Sequence, residues 1–300
     1  MSKPILVGLA PERGDLAPLI LGAALARGTG APLIALAAYL HDPITNAVSG
    51  GTVDDDLRSD ALGKLQAMTA GSEADLLVSG GPSPARVLHD TAQRLHAAMI
   101  VVGSTSQGPL GRITPGTTAE RLLHGAPCPV AVTTTDLPAD WQLRRIGVGF
   151  LDIDEGHAAL RAAAALARSA GGTLHATTAI EPLDWTGTAI IAPYRNDGLV
   201  ESTRETAQHQ LDQALELIEP DIQAGSDIVI ARAADALIEL SSHVDLLVCG
   251  SRGYGPLRSV LIGGATHQLL RHAHCPVVIV PRGTEAALDD LAERTEATTR

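Results

Sequence analysis

One stretch of this chain occurs twice, and the repeat limits the folds open to it. Val101–Val132 reads VVGSTSQGPLGRITPGTTAERLLHGAPCPVAV, and Val248–Val280 reads VCGSRGYGPLRSVLIGGATHQLLRHAHCPVVIV. Gly103 answers Gly250, Gly116 answers Gly263 and Cys128 answers Cys275, each pair 147 residues apart. Each copy reads as a buried strand, a glycine-rich loop, a helix and a second buried strand. The openings of the two halves, Ile5-Leu6-Val7-Gly8 and Ile146-Gly147-Val148-Gly149, stand 141 residues apart. The change of step requires a net insertion of six residues between them, most simply in the longer loop at 181–198.

Around these stretches, apolar runs alternate with helical periodicity. The first half reads as strands at 4–9, 31–40, 74–79, 99–102 and 130–132. Helices lie between them, one running from 54 to about 70. Gly28 and Gly30 end the first helix, as glycine past a helix end does. The second half repeats the order, with strands at 146–150, 174–180, 228–231, 246–249 and 277–280. Alternating strands and helices imply parallel sheets with right-handed crossovers. The expected fold is α/β, two tandem doubly wound five-stranded parallel-sheet domains. The expected division is 1–135 and 145–282, with a polar linker at 136–144 and a polar tail at 283–300.

The 300 residues suit about two domains, and 45% of them are hydrophobic. Aromatics are only 2%, so the cores must be built from Leu, Val, Ile and Ala. A net charge of −12 argues against a general nucleic-acid or anionic-membrane binder. Three cysteines give no disulfide framework, and two sit in equivalent places, which suggests packing. Met1-Ser2-Lys3 leads straight into a strand, and no apolar run is long enough to span a bilayer. A cytoplasmic protein is expected.

Glycine at a strand end permits close backbone approach. The helix after it begins with unpaired N–H groups and a positive dipole end. Together they form a phosphate cradle. The alternative is that the glycines only let the helix pack closely on the sheet; two loops in matching context favour a nucleotide site, active or relict.

The spacing Gly-x2-Gly-x9-Gly-(Ser/Thr), then a helix and Cys-Pro-Val, resembles the universal stress protein family. The second half carries Gly250-Ser251-Arg252-Gly253 and Gly263-Gly264. The first carries Gly103-Ser104-Thr105-Ser106 and Gly116-Thr117. Ala126–Val130, His274–Val277 and the two strand openings extend the resemblance over both halves, as in a tandem member. The resemblance implies an adenine-nucleotide alpha hydrolase-like fold that binds ATP or another adenine nucleotide, with Mg²⁺ as a candidate partner ion. By that resemblance, phosphates lie on Gly250, Ser251, Arg252, Gly253, Gly263, Gly264, Ala265 and Thr266 in one half. In the other they lie on Gly103, Ser104, Ser106, Gly116, Thr117 and Thr118. Adenosine lies against Leu9-Ala10 or Phe150-Leu151. The resemblance also implies a homodimer through the last strands, unnamed protein partners, a role in stress response or dormancy, and no catalytic turnover.

The sequence departs from the family pattern. Ala10 and Leu151 stand where an acidic residue is frequent, Ser106 replaces a glycine, and Gly264 replaces a hydroxyl residue. The alternatives are a degenerate stress protein acting through dimerisation and protein contacts, and a slow ATPase. No Gly-x4-Gly-Lys-(Ser/Thr) or dinucleotide fingerprint is present. His267, His272, His274 and Cys275 are better explained by a helix C-terminus and core packing than by a metal. Arg112, Arg252 and Arg258 fit either phosphate contact or solvent.

Overall fold

The computed structural model describes residues 3–41, 52–104, 113, 116–135, 137–181, 197–218, 222–251 and 264–281. The first half runs β1 (Ile5–Leu9), a 3-10 turn (Pro11–Arg13), α1 (Ala17–Thr29), β2 (Leu33–Leu40), α2 (Thr52–Met68) and β3 (Asp75–Gly81). It continues with α3 (Pro84–Leu95), β4 (Met99–Val102), α4 (Thr117–Leu123) and β5 (Val130–Val132). The second half runs β6 (Arg145–Gly149), α5 (Asp154–Ala170), β7 (Thr173–Ile180), α6 (Asp197–Glu216) and β8 (Gln223–Ile230). It ends with α7 (Ala233–Ser241), β9 (Leu246–Gly250), α8 (Gly264–His272) and β10 (Val277–Val280).

Glycines stop the two longest-buried helices. Gly30 after α1 and Gly171 after α5 take φ near +60°, and their N–H groups return to the last turn. Ser83 starts α3: its hydroxyl accepts the N–H of Arg86, and Pro84 fills the first helical position. Helix α5 is rich in alanine and lies flat on the sheet, with seven buried alanines from Ala158 to Ala167 standing in for the missing aromatics.

All ten strands form one sheet, ordered β3-β2-β1-β4-β5-β10-β9-β6-β7-β8. Pairing within each half is parallel; β5 and β10 pair antiparallel. The antiparallel register is centred on Ala131 opposite Val278, residues that the repeat makes equivalent. The halves are therefore related by a pseudo-twofold axis at that pair. This revises the expectation of a homodimer through the last strands. β5 is bonded to β4 and β10, and β10 to β5 and β9, so neither has an open edge for a second chain. The sheet edges are β3 and β8.

Helices α1, α2, α5 and α6 pack on one face and α3, α4, α7 and α8 on the other. Each apolar layer runs through both halves. Strands β1 to β3 step one way and β4 to β5 the other, so the order reverses between β1 and β4, and likewise between β6 and β9. Across the axis α1 meets α5, where a Cβ on Gly28 would stand 2.9 Å from the Ser169 hydroxyl. Between the halves, Leu137 and Leu143 are buried and Trp141 packs against the core.

The strand expected at 228–231 begins earlier, at Gln223. Its first five residues, Gln-Ala-Gly-Ser-Asp, carry no apolar signal because an edge strand is wet on both faces here.

Candidate functional site

At the carboxyl end of the first half-sheet lies a cavity of about 490 Å³, on the reversal point between β1 and β4. Such sheets place ligands there because the connections on either side of the reversal diverge to opposite faces. Gly8, Leu9 and Ala10 end one wall, and Gly103 and Ser104 end the other. Gly116, Thr117 and Thr118 close the far side, with Pro84 and Leu88 of α3 beneath. The cavity thus brings together Leu9, Ala10, Gly103, Ser104, Gly116, Thr117 and Thr118, all expected from sequence; Ser106 lies outside the described residues.

Two glycines make room for this arrangement. A Cβ on Gly8 would stand 2.8 Å from Leu88, so its absence lets α3 close on β1. A Cβ on Gly103 would stand 2.9 Å from Oδ2 of Asp15. The other oxygen of that carboxylate accepts the N–H of Ala17 at 2.9 Å and so caps the start of α1. Asp15 therefore fastens α1 while facing the first glycine of the loop. Gly14, at φ 65°, closes the 3-10 turn. That turn places Glu12 and Arg13 on the cavity wall. Among the described residues lining it, Arg13 is the one cation, against the carboxylates of Glu12 and Asp15. Residues 11–15 were not singled out from sequence. The available signal was Pro11 and Gly14 directly after a strand, which marks a tight turn at its carboxyl end.

The second half differs at the same place. Helices α1 and α5 end 141 residues apart, but α5 has 17 residues and α1 has 13. The extra turn is at the start of α5, where Gly156 takes the position of Asp15. It presses on the strand end: a Cβ on Gly156 would stand 1.9 Å from the carbonyl oxygen of Leu151. Asp152 follows and pairs with His157, Oδ1 to Nε2 at 2.8 Å. The His157 ring meets Phe150 edge-on at 5.2 Å.

Phe150 and Leu151 line a cavity of about 370 Å³, together with Asp152, the end of β7 and Ser202, Thr203 and Thr206 of α6. Gly250, Ser251, Gly264, Ala265 and Thr266 are not on that wall. The N–H of Ser251 is taken up by the carbonyl of Val280 at 2.8 Å, and Thr266 is buried. Arg252, Gly253 and Gly263 lie outside the described residues. Glu181 reaches the start of α7, where its carboxylate accepts the N–H of Ala233 at 3.3 Å. A carboxylate there already occupies donor groups that would suit a second anion.

The three cysteines are buried. Burial pushes the Cys128 and Cys249 thiols up to about 12 and raises that of Cys275 as well. No group of three His, Cys, Asp or Glu residues placed to hold a metal occurs among the described residues. No helix among them is long and apolar enough to cross a membrane.

The sequence profile described as the Universal stress protein family matches residues 1–134 and again 142–281. A universal stress protein of Mycobacterium tuberculosis is 37% identical over 89 residues, covering 28% of this chain and 30% of that relative. The chain thus spans under a third of that relative's length. Another from the same organism is 27% identical over 226 residues, 74% of this chain and 72% of the relative. Among solved structures, a functionally unknown protein from Pseudomonas aeruginosa superposes with a TM-score of 0.65 at 18% identity, covering 99% of this chain and 98% of its own. A universal stress protein from Archaeoglobus fulgidus gives 0.64 at 18% identity, covering 94% and 100%. These two likenesses concern the fold, and they agree with the doubled α/β architecture. With the family matched on both sides of the pseudo-twofold axis, the chain belongs to the universal stress protein family and carries two of its domains in tandem.

Proposed function

We propose that this protein is a regulatory module that binds an adenine nucleotide in its first half and acts without turnover. The observation that carries the reading is the cavity of about 490 Å³ at the β1/β4 reversal. It gathers the strand end Leu9-Ala10, the loop start Gly103-Ser104 and the helix start Gly116–Thr118. Leu36, Ala38 and Leu88 supply an apolar floor for a base, and the backbone at Gly103 and Gly116 supplies donors for phosphate. ATP with Mg²⁺ is the first ligand to test, and the cytoplasm is the proposed location. Among the described lining residues there is no histidine, the Asp15 carboxylate accepts the N–H of Ala17 and Glu12 stands 4.0 Å from Lys64, so none of them stands ready as a base for water.

The test is titration calorimetry of the full chain with ATP, ADP, AMP and adenosine, each with and without Mg²⁺. Mass spectrometry of any nucleotide released on denaturation accompanies it. Saturable binding of one nucleotide per chain is expected, with no phosphate released over hours. Absence of binding, or steady hydrolysis abolished by Gly103→Val, overturns the reading.

A further inference from the structure

We infer that Arg13 is the residue that selects for phosphate in the first-half cavity, so that the site prefers nucleotides over nucleosides by a side chain outside the glycine loop. The inference rests on the cavity being the ligand site. Arg13 ends the 3-10 turn that follows β1, and Gly14 in the left-handed region turns the chain immediately after it. The turn holds Arg13 on the cavity wall between β1 and α1, two residues before Asp15, whose carboxylate faces Gly103.

The local charge makes this position decisive. Glu12 and Asp15 line the same cavity, and one oxygen of Asp15 lies 2.9 Å from where a Cβ on Gly103 would be. The chain as a whole carries −12. Among the described lining residues, an anionic ligand meets the Asp15 carboxylate beside the loop start, and at the turn Glu12 and the one cation, Arg13. Guanidinium is planar, always charged, and bonds phosphate through two parallel N–H groups. Asp15 is held by the N–H of Ala17 and cannot swing away without uncapping α1. Phosphate then settles towards Arg13, away from the Asp15 carboxylate. The position in the second half that matches Arg13 is Asp154, in the first turn of α5, which begins one turn earlier than α1; Asp152 before it pairs with His157. None of the described residues lining the second cavity is Lys or Arg.

The experiment measures dissociation constants of the full chain for ATP, AMP and adenosine, in wild type, Arg13→Ala and Arg13→Lys. Arg13 is exposed, so its removal leaves the fold intact, and circular dichroism checks this. Loss of a charge-assisted contact predicts about tenfold weaker ATP binding in Arg13→Ala. Adenosine affinity should stay within about twofold, and Arg13→Lys should recover part of the loss. The salt dependence of ATP binding should flatten in Arg13→Ala. If wild type binds ATP and Arg13→Ala binds it equally well, or loses ATP and adenosine alike, the assignment of Arg13 is wrong while the site stands. If wild type binds neither, the reading of the cavity falls and the assignment with it.

Discussion

The two halves share strand order, helix order and face assignment, yet their strand exits are built differently. In the first half a seven-residue connection leaves β1, turns through a short 3-10 segment and brings Arg13 and Asp15 to an open cavity. In the second half α5 reaches down to the strand end, and Gly156 stands against Leu151 where Asp15 would be. One extra helical turn replaces a loop that could contact ligand. The comparison teaches that a duplicated fold does not imply a duplicated site. The core is fixed by layers that run through both halves, while the short connections at the reversal points are free to differ.

The largest effect should come from breaking the tight exit. Gly156→Val drives a side chain into a backbone carbonyl that cannot rotate away, and should cost about 3 kcal/mol in urea unfolding. Asp15→Ala, at the matching place, removes an acceptor from the start of α1 and should cost about 1 kcal/mol. Equal costs would mean that the exits are built alike after all. Next is the axis, where Gly28 and Ser169 occupy equivalent positions and face each other. Gly28→Leu should wedge α1 from α5 and cost about 2 kcal/mol. Gly28→Ser combined with Ser169→Gly keeps the packed volume and should lie within about 0.5 kcal/mol of wild type.

Gly103→Val tests the ligand side of the comparison. The new side chain meets the Asp15 carboxylate and the Pro18 ring, so it should weaken ATP binding about tenfold and also lower the thermal midpoint by a few degrees. Gly250→Val, its counterpart, should leave that dissociation constant unchanged. Equal loss from both would place ligand in the second half too.

The smallest effect concerns pH. A hydrogen bond from His41 at 2.6 Å, helped by Tyr39, holds the Asp54 carboxyl below the usual carboxylate range. Its folded value lies below its unfolded value, so the contribution is present above the unfolded value, about 4, and fades as pH falls through the folded one. Asp54→Asn should lower the unfolding midpoint at pH 6 and have no effect at pH 2. A difference that persists at pH 2 would mean that the contact acts through shape instead of charge.

Much of this was legible. Fully buried parallel strands announce themselves as apolar runs, and β1, β4, β6 and β9 were readable for that reason. Gly103 at the loop start and Gly116 at the helix start pointed to the cavity. Three things were hidden. Edge strand β8 is polar for most of its length, so periodicity found only its last residues. Arg13 and Asp15 are ordinary loop residues until the turn at Gly14 aims them, and spacing carries no such direction. The choice between pairing within and between chains depends on how far the connecting segment lets the halves turn. That segment folds onto the core through Leu137, Trp141 and Leu143.

The antiparallel seam at Ala131 and Val278 has a consequence for how the two sites can change over time. Two separate chains joined at such a seam would carry identical pockets, and every coding change would strike both. Joined in one polypeptide, each pocket can be altered alone while its neighbour supplies the shared wall of the sheet. The partner strand is also present at an effective concentration set by the tether, so dilution does not separate the halves. Because the seam reverses strand direction, the carboxyl ends of the two half-sheets open on opposite rims of the molecule. The cavity at the β1/β4 reversal and the cavity beside Phe150 therefore face opposite rims, and the two rims present different surfaces.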